Sequence, residues 1–409
     1  MRSRKRTGTA AENILTASAG AIGMIERNEC TLDDYLDRHA LPEYRRTIEH
    51  LLLSFYRYRA FFCRELDRLV SRAPDAKVRN LLLAVFTQVR FQSAIAPESA
   101  VSVAVDAAKK FRADKFVNAV LRRFVSDRTP ISSAPADILP PAVYKRWKKR
   151  YTEDTLKLMA ELFTAEPPFS FRMEKGTEKV DFPCSFLDGN ELFKFYSAAP
   201  ADALSSRALA EGKIYIQDPA TGYAPSLPDY SSVKNALDLC AAPGGKSLMI
   251  SENLQSDGKL TAFDRSKSRQ ILTRKNFETR GLKHKVISGK LEELSGSFDL
   301  VLADVPCSNT GVFRHRPDAL WRFSEKDLAD VTILQREILE HAARLVAPGG
   351  QLVYSTCSLE PEENALMVQD FISRHPNFTL VAGQTNLPTP TSDGSSAFFL
   401  REKKLGKKS

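Results

Sequence analysis

Residues 237–247 read LDLCAAPGGKS. Leu237–Leu239 close a short apolar run of the kind that forms a buried strand. The proline and the two glycines that follow make a turn, and a helix is expected to begin near Lys246. A strand, a tight turn and a helix in this order form the opening unit of a doubly wound α/β domain. In such domains small ligands bind at the carboxyl ends of the strands, beside this turn. Gly244 and Gly245 are expected to let the backbone approach a ligand closely. The turn Cys240, Ala241, Ala242, Pro243, Gly244, Gly245 and Lys246 is therefore the first candidate binding element. It has neither the GxGxxG spacing of a dinucleotide loop nor the GxxxxGK[ST] of a P-loop, which excludes a pyrophosphate grip of either kind.

Reading onward, KLTAFD (259–264), HKVIS (284–288), FDLVLAD (298–304) and GQLVYST (350–356) are further short apolar runs. Helix-like stretches separate them, among them 268–281 and 327–346. Strands alternating with helices predict a parallel sheet. The second strand ends in Asp264, about 20 residues past the glycines, where an acid accepts hydrogen bonds from ribose hydroxyls. An adenosine-bearing ligand follows from that pairing. The fourth strand ends in ADVPCSNTG (303–311) and the fifth in YSTCS (354–358). Asp304, Cys307 and Cys357 should therefore meet at the edge that carries the glycine turn. Free cysteine is commonly a small buried hydrophobe, but two thiols at one ligand-binding edge call for another reason. Pro361, Glu362 and Glu363 read as the first turn of a helix whose N–H groups would favour a thiolate at Cys357.

Reading backward, residues 10–125 carry helical periodicity throughout, as in RNLLLAVFTQVRF (79–91). In FVNAVLRRF (116–124), Phe116, Val117, Val120, Leu121 and Phe124 fall on one face. A proline-rich linker follows at 129–143, then the basic and aromatic YKRWKKRY (144–151). That segment suits either stacked bases and phosphates or an amphipathic helix. Residues 1–176 hold 31 Lys+Arg against 21 Asp+Glu, and the remainder 28 against 29. The basic excess lies wholly in the N-terminal portion and points to nucleic acid. No apolar run is long enough to span a membrane. The six cysteines include no CxxC pair, which argues against zinc and a disulfide framework and for reduced thiols in the cytoplasm. The acid-poor, Arg-rich start reads as a basic lead-in to the first helix.

CAAPGGK (240–246), DVPCSNTGVFRHRPD (304–318) and YSTCSLEPEEN (354–364) together resemble the S-adenosylmethionine-dependent RNA 5-methylcytosine methyltransferases. QDPATGYAP (217–225), the helix after Asp264 and the closing strand SSAFFLREK (395–403) extend the likeness. PESAVSVAVDAAKK (97–110) and FVNAVLRR (116–123) resemble the NusB-related domain found in the members that act on small-subunit ribosomal RNA. The fold so implied is α/β: a C-terminal doubly wound, Rossmann-like methyltransferase domain after an N-terminal all-α NusB-like RNA-binding domain. The expected division is 1–128 NusB-like, 129–143 linker, 144–230 a small α+β RNA-binding subdomain, 231–403 the methyltransferase domain and 404–409 a basic tail.

The resemblance implies S-adenosylmethionine as cofactor, ribosomal RNA as partner, no membrane and a monomer. By position it makes Cys357 the nucleophile that adds to cytosine C6. Cys307 becomes the thiol that assists proton removal and release, and Asp304 the acid touching both donor and base. Lys246 becomes a positioning cation, and Arg316 and Asp318 part of a loop over the target nucleotide. A thiolate at C6 makes C5 able to attack a methyl group, a covalent route that splits one hard step into two. Two departures stand out. Lys290 occupies the place of an acid that would accept from the adenine amino group, which a lysine cannot do. Glu174 stands where an asparagine is usual. A transfer-RNA methyltransferase, a non-catalytic assembly factor and a thiol redox protein remain as alternatives.

Overall fold

The structure, a computed structural model, describes residues 9–127 and 129–403. The basic lead-in at 1–8 and the expected tail at 404–409 lie outside the described residues. The chain forms two units: Met1–Glu166 with Phe313–Phe323, and Pro167–Val312 with Ser324–Ser409. These limits differ from the expected boundaries at 128, 143 and 230. Residues 141–166 join the helical unit, and the small subdomain's strands join the second.

The first unit opens with seven α-helices: α1 (Ala10–Glu26), α2 (Leu32–Arg38), α3 (Arg45–Arg57), α4 (Arg59–Leu69), α5 (Ala76–Phe91), α6 (Pro97–Ala108) and α7 (Asp114–Ser126). Local chemistry sets their starts. Thr31 and Asp34 form a capping box at α2, with Asp34 N donating to Thr31 Oγ1 at 3.0 Å. Asp75 caps α5 by accepting from Lys77 N at 2.9 Å. Helix α5 is apolar nearly all round because it is the centre of the unit, packed by α1, α3, α4, α6 and α7. Val117, Val120, Leu121 and Phe124 of α7 are buried as expected, and Phe86 stacks on Phe124 at 3.9 Å. Phe116, by contrast, is exposed at the edge of that face.

YKRWKKRY resolves as an amphipathic helix end. Trp147 is fully buried, stacked on Phe313 at 6.0 Å and tilted against Phe163 at 5.9 Å. Its ring belongs to the core rather than to a base-stacking surface. Residues 313–323 are part of this unit. Trp321 Nε1 donates to Tyr56 O at 2.7 Å, and Arg59 lies over the Trp321 ring at 4.7 Å.

The second unit holds two sheets. The strands β1 (Ser170–Met173), β2 (Ser185–Gly189), β3 (Lys194–Ser197) and β4 (Ile214–Ile216) form a small antiparallel sheet in the order β2-β3-β1-β4. The larger sheet contains β5 (Asn235–Leu239), β6 (Lys259–Phe263), β7 (Lys285–Ile287), β8 (Phe298–Asp304), β9 (Val346–Thr356), β10 (Phe378–Asn386) and β11 (Ser395–Glu402). Its order is β10-β11-β9-β8-β5-β6-β7. The strands from β9 to β7 are parallel, whereas β11 runs antiparallel to both of its neighbours, so the sheet is mixed at one end. Strand β10, an exposed edge with few buried residues, has no counterpart among the expected strands. The order turns back on itself between β5 and β8, and the crevice of a doubly wound sheet opens at such a point.

Asp238 on β5 is fully buried and accepts from Ser247 Oγ of the helix Gly245–Asn253, which ties that helix to the sheet. Burial pushes the Asp238 carboxyl up to about 7. Its folded value thus lies above the unfolded one, and between the two the folded chain holds a proton that the unfolded chain has lost. Stability from this group is present at acid pH and lost as pH rises toward 7. The melting temperature of the wild type should therefore fall from pH 5 to pH 7.5 more steeply than that of Asp238→Asn, measured by calorimetry. Trp147→Ala should cost the helical unit about 3–5 kcal/mol, read as a lower denaturant midpoint for that unit's transition.

Candidate functional site

The glycine turn is built by backbone demands that the sequence meets residue by residue. Cys240 has φ +67°, and Ala241 N donates to Phe263 O at 2.9 Å, which moors the turn to the end of β6. The Ala242–Pro243 bond is cis. Gly244 has φ +102°, a region costly for other residues. A Cβ on Gly245 would stand 2.9 Å from both Gln217 Nε2 and Tyr215 Cε1. Gly244 would likewise meet Thr273 Cγ2 at 3.0 Å. Both glycines make room for the protein's own side chains. The Cys240 thiol is pushed up to about 12 by burial and is inert as a nucleophile.

At the end of β6, Asp264 is 2% exposed. Its Oδ1 accepts from Ser266 N at 2.8 Å and Arg269 Nη2 at 3.1 Å, while its buried Oδ2 has no hydrogen-bond partner. A buried unpartnered carboxylate oxygen at a strand end is what a ribose hydroxyl would satisfy. Lys290, beyond the end of β7, is exposed, as are Glu292 and Glu293.

At the switch point Lys246 Nζ donates to Asp304 Oδ2 at 2.6 Å, and Ser355 Oγ to Asp304 Oδ1 at 2.7 Å. Both carboxylate oxygens are thus held, one from the glycine-turn helix and one from β9. Burial draws the Lys246 ammonium down, but Asp304, Asp238 and Cys357 pull it up further, so it stays charged.

Beyond Asp304, Cys307 and Cys357 face each other with their Sγ atoms 2.9 Å apart, both as free thiols. Cys357 Sγ donates to Asn309 Oδ1 at 3.2 Å. The bond to Cys357, together with burial, pushes the Cys307 thiol well above its ordinary value, so Cys307 keeps its proton. The expected helix start after Cys357 is a 3-10 turn at Pro361–Glu363, and the α-helix begins only at Ala365. The Lys246 ammonium and the Cys357 sulfur are near enough to interact electrostatically.

Sequence reasoning brought Lys246, Asp304, Cys307 and Cys357 together correctly. It did not foresee Asn309, in the left-handed region at φ +61°, or Glu363, buried behind the two cysteines. The SNTG and EEN runs that carry them were in view, but nothing local marks either side chain as central. Arg316 and Asp318 lie in the helical unit instead. Asp318 is buried, accepts from Leu32 N at 3.3 Å and is held by Arg322, and Arg316 pairs with Asp33 at 3.6 Å. Both side chains pack on the start of α2. Glu174 accepts from the buried Arg172 at 2.9 Å, and Arg172 also clamps Glu252, so the departure from asparagine is absorbed by an ion cluster.

Residues 229–400 match the family model for 16S rRNA methyltransferase RsmB/F, and residues 23–126 match that of the NusB family. A protein of Enterobacter sp. (strain 638), named ribosomal RNA small subunit methyltransferase B, is 29% identical over 368 residues, covering 82% of this chain and 85% of that one. The solved structure of PH0851 superposes with a TM-score of 0.76 at 22% identity, covering 97% of this chain and all of that one, which establishes the shared fold. A methyltransferase homologue from Pyrococcus horikoshii gives 0.52 at 25% identity over 64% of this chain and all of that one. A Shewanella oneidensis protein, also named ribosomal RNA small subunit methyltransferase B, is 31% identical over 316 residues, 73% of each chain. With both domain models in order and that relative matched across most of its length, the chain belongs to the 16S rRNA methyltransferase RsmB/F family.

Proposed function

We propose that this protein methylates carbon 5 of a cytosine in small-subunit ribosomal RNA, with S-adenosylmethionine as methyl donor. The observation that carries the reading is the pair of free thiols with Sγ atoms 2.9 Å apart beside the Lys246–Asp304 pair. A fold kept only as a scaffold needs neither thiol. The donor fits the residues present: the free Oδ2 of Asp264 awaits a ribose hydroxyl, and the turn 240–246 with Asp304 borders the same strand ends. Lys290 brings a cation to the adenine end in place of an acceptor. Bound there, S-adenosylmethionine supplies an electrophilic methyl group.

The protein's own groups then act in order. Cys357, beside the Lys246 ammonium, gives its proton to solvent, and the electron pair of its sulfur forms the bond to C6. Asp304, held by Lys246 and Ser355, keeps base and donor in register. The displaced π electrons raise electron density at C5, which takes the methyl group. Cys307 then removes the C5 proton, the C5–C6 double bond re-forms, and the Cys357 Sγ–C6 bond breaks. The hydrogen bond to Cys357 is the largest single reason that the Cys307 thiol holds its proton. That bond is lost when Cys357 becomes covalently engaged, so Cys307 can then give up its own proton to solvent and stand as the thiolate that takes the C5 proton.

The basic N-terminal unit suits RNA phosphates. Free cysteines and a ribosomal RNA substrate support a cytoplasmic location, and the proposal takes the protein to act as a monomer. Among the described residues no helix is long and apolar enough to cross a membrane.

Bisulfite mapping of 16S-type RNA from cells with and without the protein should reveal one cytosine whose protection disappears; an unchanged map would end the proposal. Cys357→Ala should reduce methyl transfer to background. Cys307→Ala should leave a covalent protein–RNA adduct visible as a slow band on a denaturing gel. Asp264→Ala should weaken methyl-donor binding by roughly tenfold or more, measured by calorimetry, and an unchanged affinity would remove Asp264 from the site.

A further inference from the structure

Glu363 is fully buried, yet its carboxylate meets four donors. Oε1 accepts from Ser308 N at 2.8 Å and from Gln335 Nε2 at 2.9 Å. Oε2 accepts from Ser308 Oγ and from Ser358 Oγ. All four donors are uncharged, and together they occupy the acceptor sites of an ionised carboxylate. Burying a carboxylate is costly, and an apolar side chain would fill the same volume without that cost. Its position supplies the reason. Ser308 directly follows Cys307, and Ser358 directly follows Cys357. One carboxyl group therefore grips the residue next to each thiol, across 55 positions to Ser308 and 5 to Ser358.

The surrounding bonds close the same gap. Gln335, held on Glu363, also donates to Pro306 O at 2.8 Å, just before Cys307. Gly311 N donates to Cys357 O at 2.9 Å. Thr310 Oγ1 accepts from Leu359 N at 2.8 Å. Glu363 itself is fixed from behind, since Tyr354 Oη donates to its backbone oxygen at 2.7 Å.

We propose that Glu363 is a positioning residue that sets the spacing of the Cys307 and Cys357 sulfurs, so that both thiols act in succession on one base. The succession rests on the reaction proposed above; the spacing does not. Without the carboxylate, the loop carrying Cys307 loses three of its ties to the loop carrying Cys357: Ser308 N, Ser308 Oγ and the Gln335 bridge. Cys357 would still add to the base, and the later proton removal and release would lag.

The test uses the full chain with Glu363→Gln, which keeps the size but presents an amide N–H₂ to donors. Phenylarsine oxide, which bridges two nearby thiols, reports the spacing without any RNA. Mass spectrometry of the peptides containing Cys307 and Cys357 assigns the bridge. In the wild type the reagent should bridge this pair at one equivalent. In Glu363→Gln, with methyl-donor affinity unchanged, bridging should be at least tenfold slower. Under single turnover with RNA, Glu363→Gln should accumulate the covalent adduct and release it at least tenfold more slowly than the wild type. If Glu363→Gln does not fold, Ser308→Ala, which removes one tie, decides by the same arsenical rate. Bridging at the wild-type rate in the folded variant overturns the positioning role. Slower bridging with no RNA adduct in any variant, Cys307→Ala included, upholds the spacing role and overturns the proposed reaction instead.

Discussion

The Lys246–Asp304 contact is the hinge of this site. It joins the helix that leaves the glycine turn to the end of β8, across the point where the strand order reverses. Parallel strands deliver all their carboxyl ends to one edge, but the reversal decides which two ends stand either side of an open crevice. An ammonium on one side and a carboxylate on the other hold that crevice at a fixed width. Ser355 completes the grip from β9, so three successive strands of the sheet, β5, β8 and β9, are registered on a single carboxylate. The aspartate can face a ligand in one orientation only, because both its oxygens are engaged.

Around this hinge the buried polar groups divide into those that are satisfied and those that are not. Glu363 has every acceptor site filled and behaves as framework. Asp264 has one oxygen filled and one buried without a partner. A buried carboxylate oxygen left open at a strand end beside the glycine turn suits a hydroxyl that arrives with a ligand. The same contrast separates the thiols. Cys240 is pushed up by burial and by the nearby Asp264, Asp304 and Asp238 carboxylates, whereas Cys357 shares its surroundings with the Lys246 cation.

Much of the helical unit could be read from the sequence, because its signals are short-range. Capping residues, an apolar helix at the centre and proline punctuation each act within one or two turns. What could not be read was where residues 313–323 would pack. Their chain neighbours are site residues, yet Asp318, Trp321 and Phe313 make their bonds to α2, α3 and Trp147. In the sequence Asp318 looks like a group waiting for RNA. Strand β10 was missed for a related reason: an edge strand has one neighbour and little apolar burial, so it lacks the alternation that marks its companions.

By itself the sequence determined the parallel core of the sheet, the glycine turn, and the arrival of Asp264, Asp304, Cys307 and Cys357 at one edge. Each of these follows from a local pattern, and parallel pairing then puts all strand ends on the same side. Only the tertiary structure decided what each group meets there. Glu363 is an unremarkable acid in an acidic run until a loop 55 positions away brings Ser308 to it. Gly245 is one glycine of a turn until Tyr215 and Gln217 come to lie where its Cβ would stand. Trp147 reads equally as a stacking ring or as the apolar side of a helix until Phe163 and Phe313 pack on it. In each case the deciding contact is distant in the chain, and hydrogen bonding and close packing act between neighbours in space, which a linear pattern does not encode.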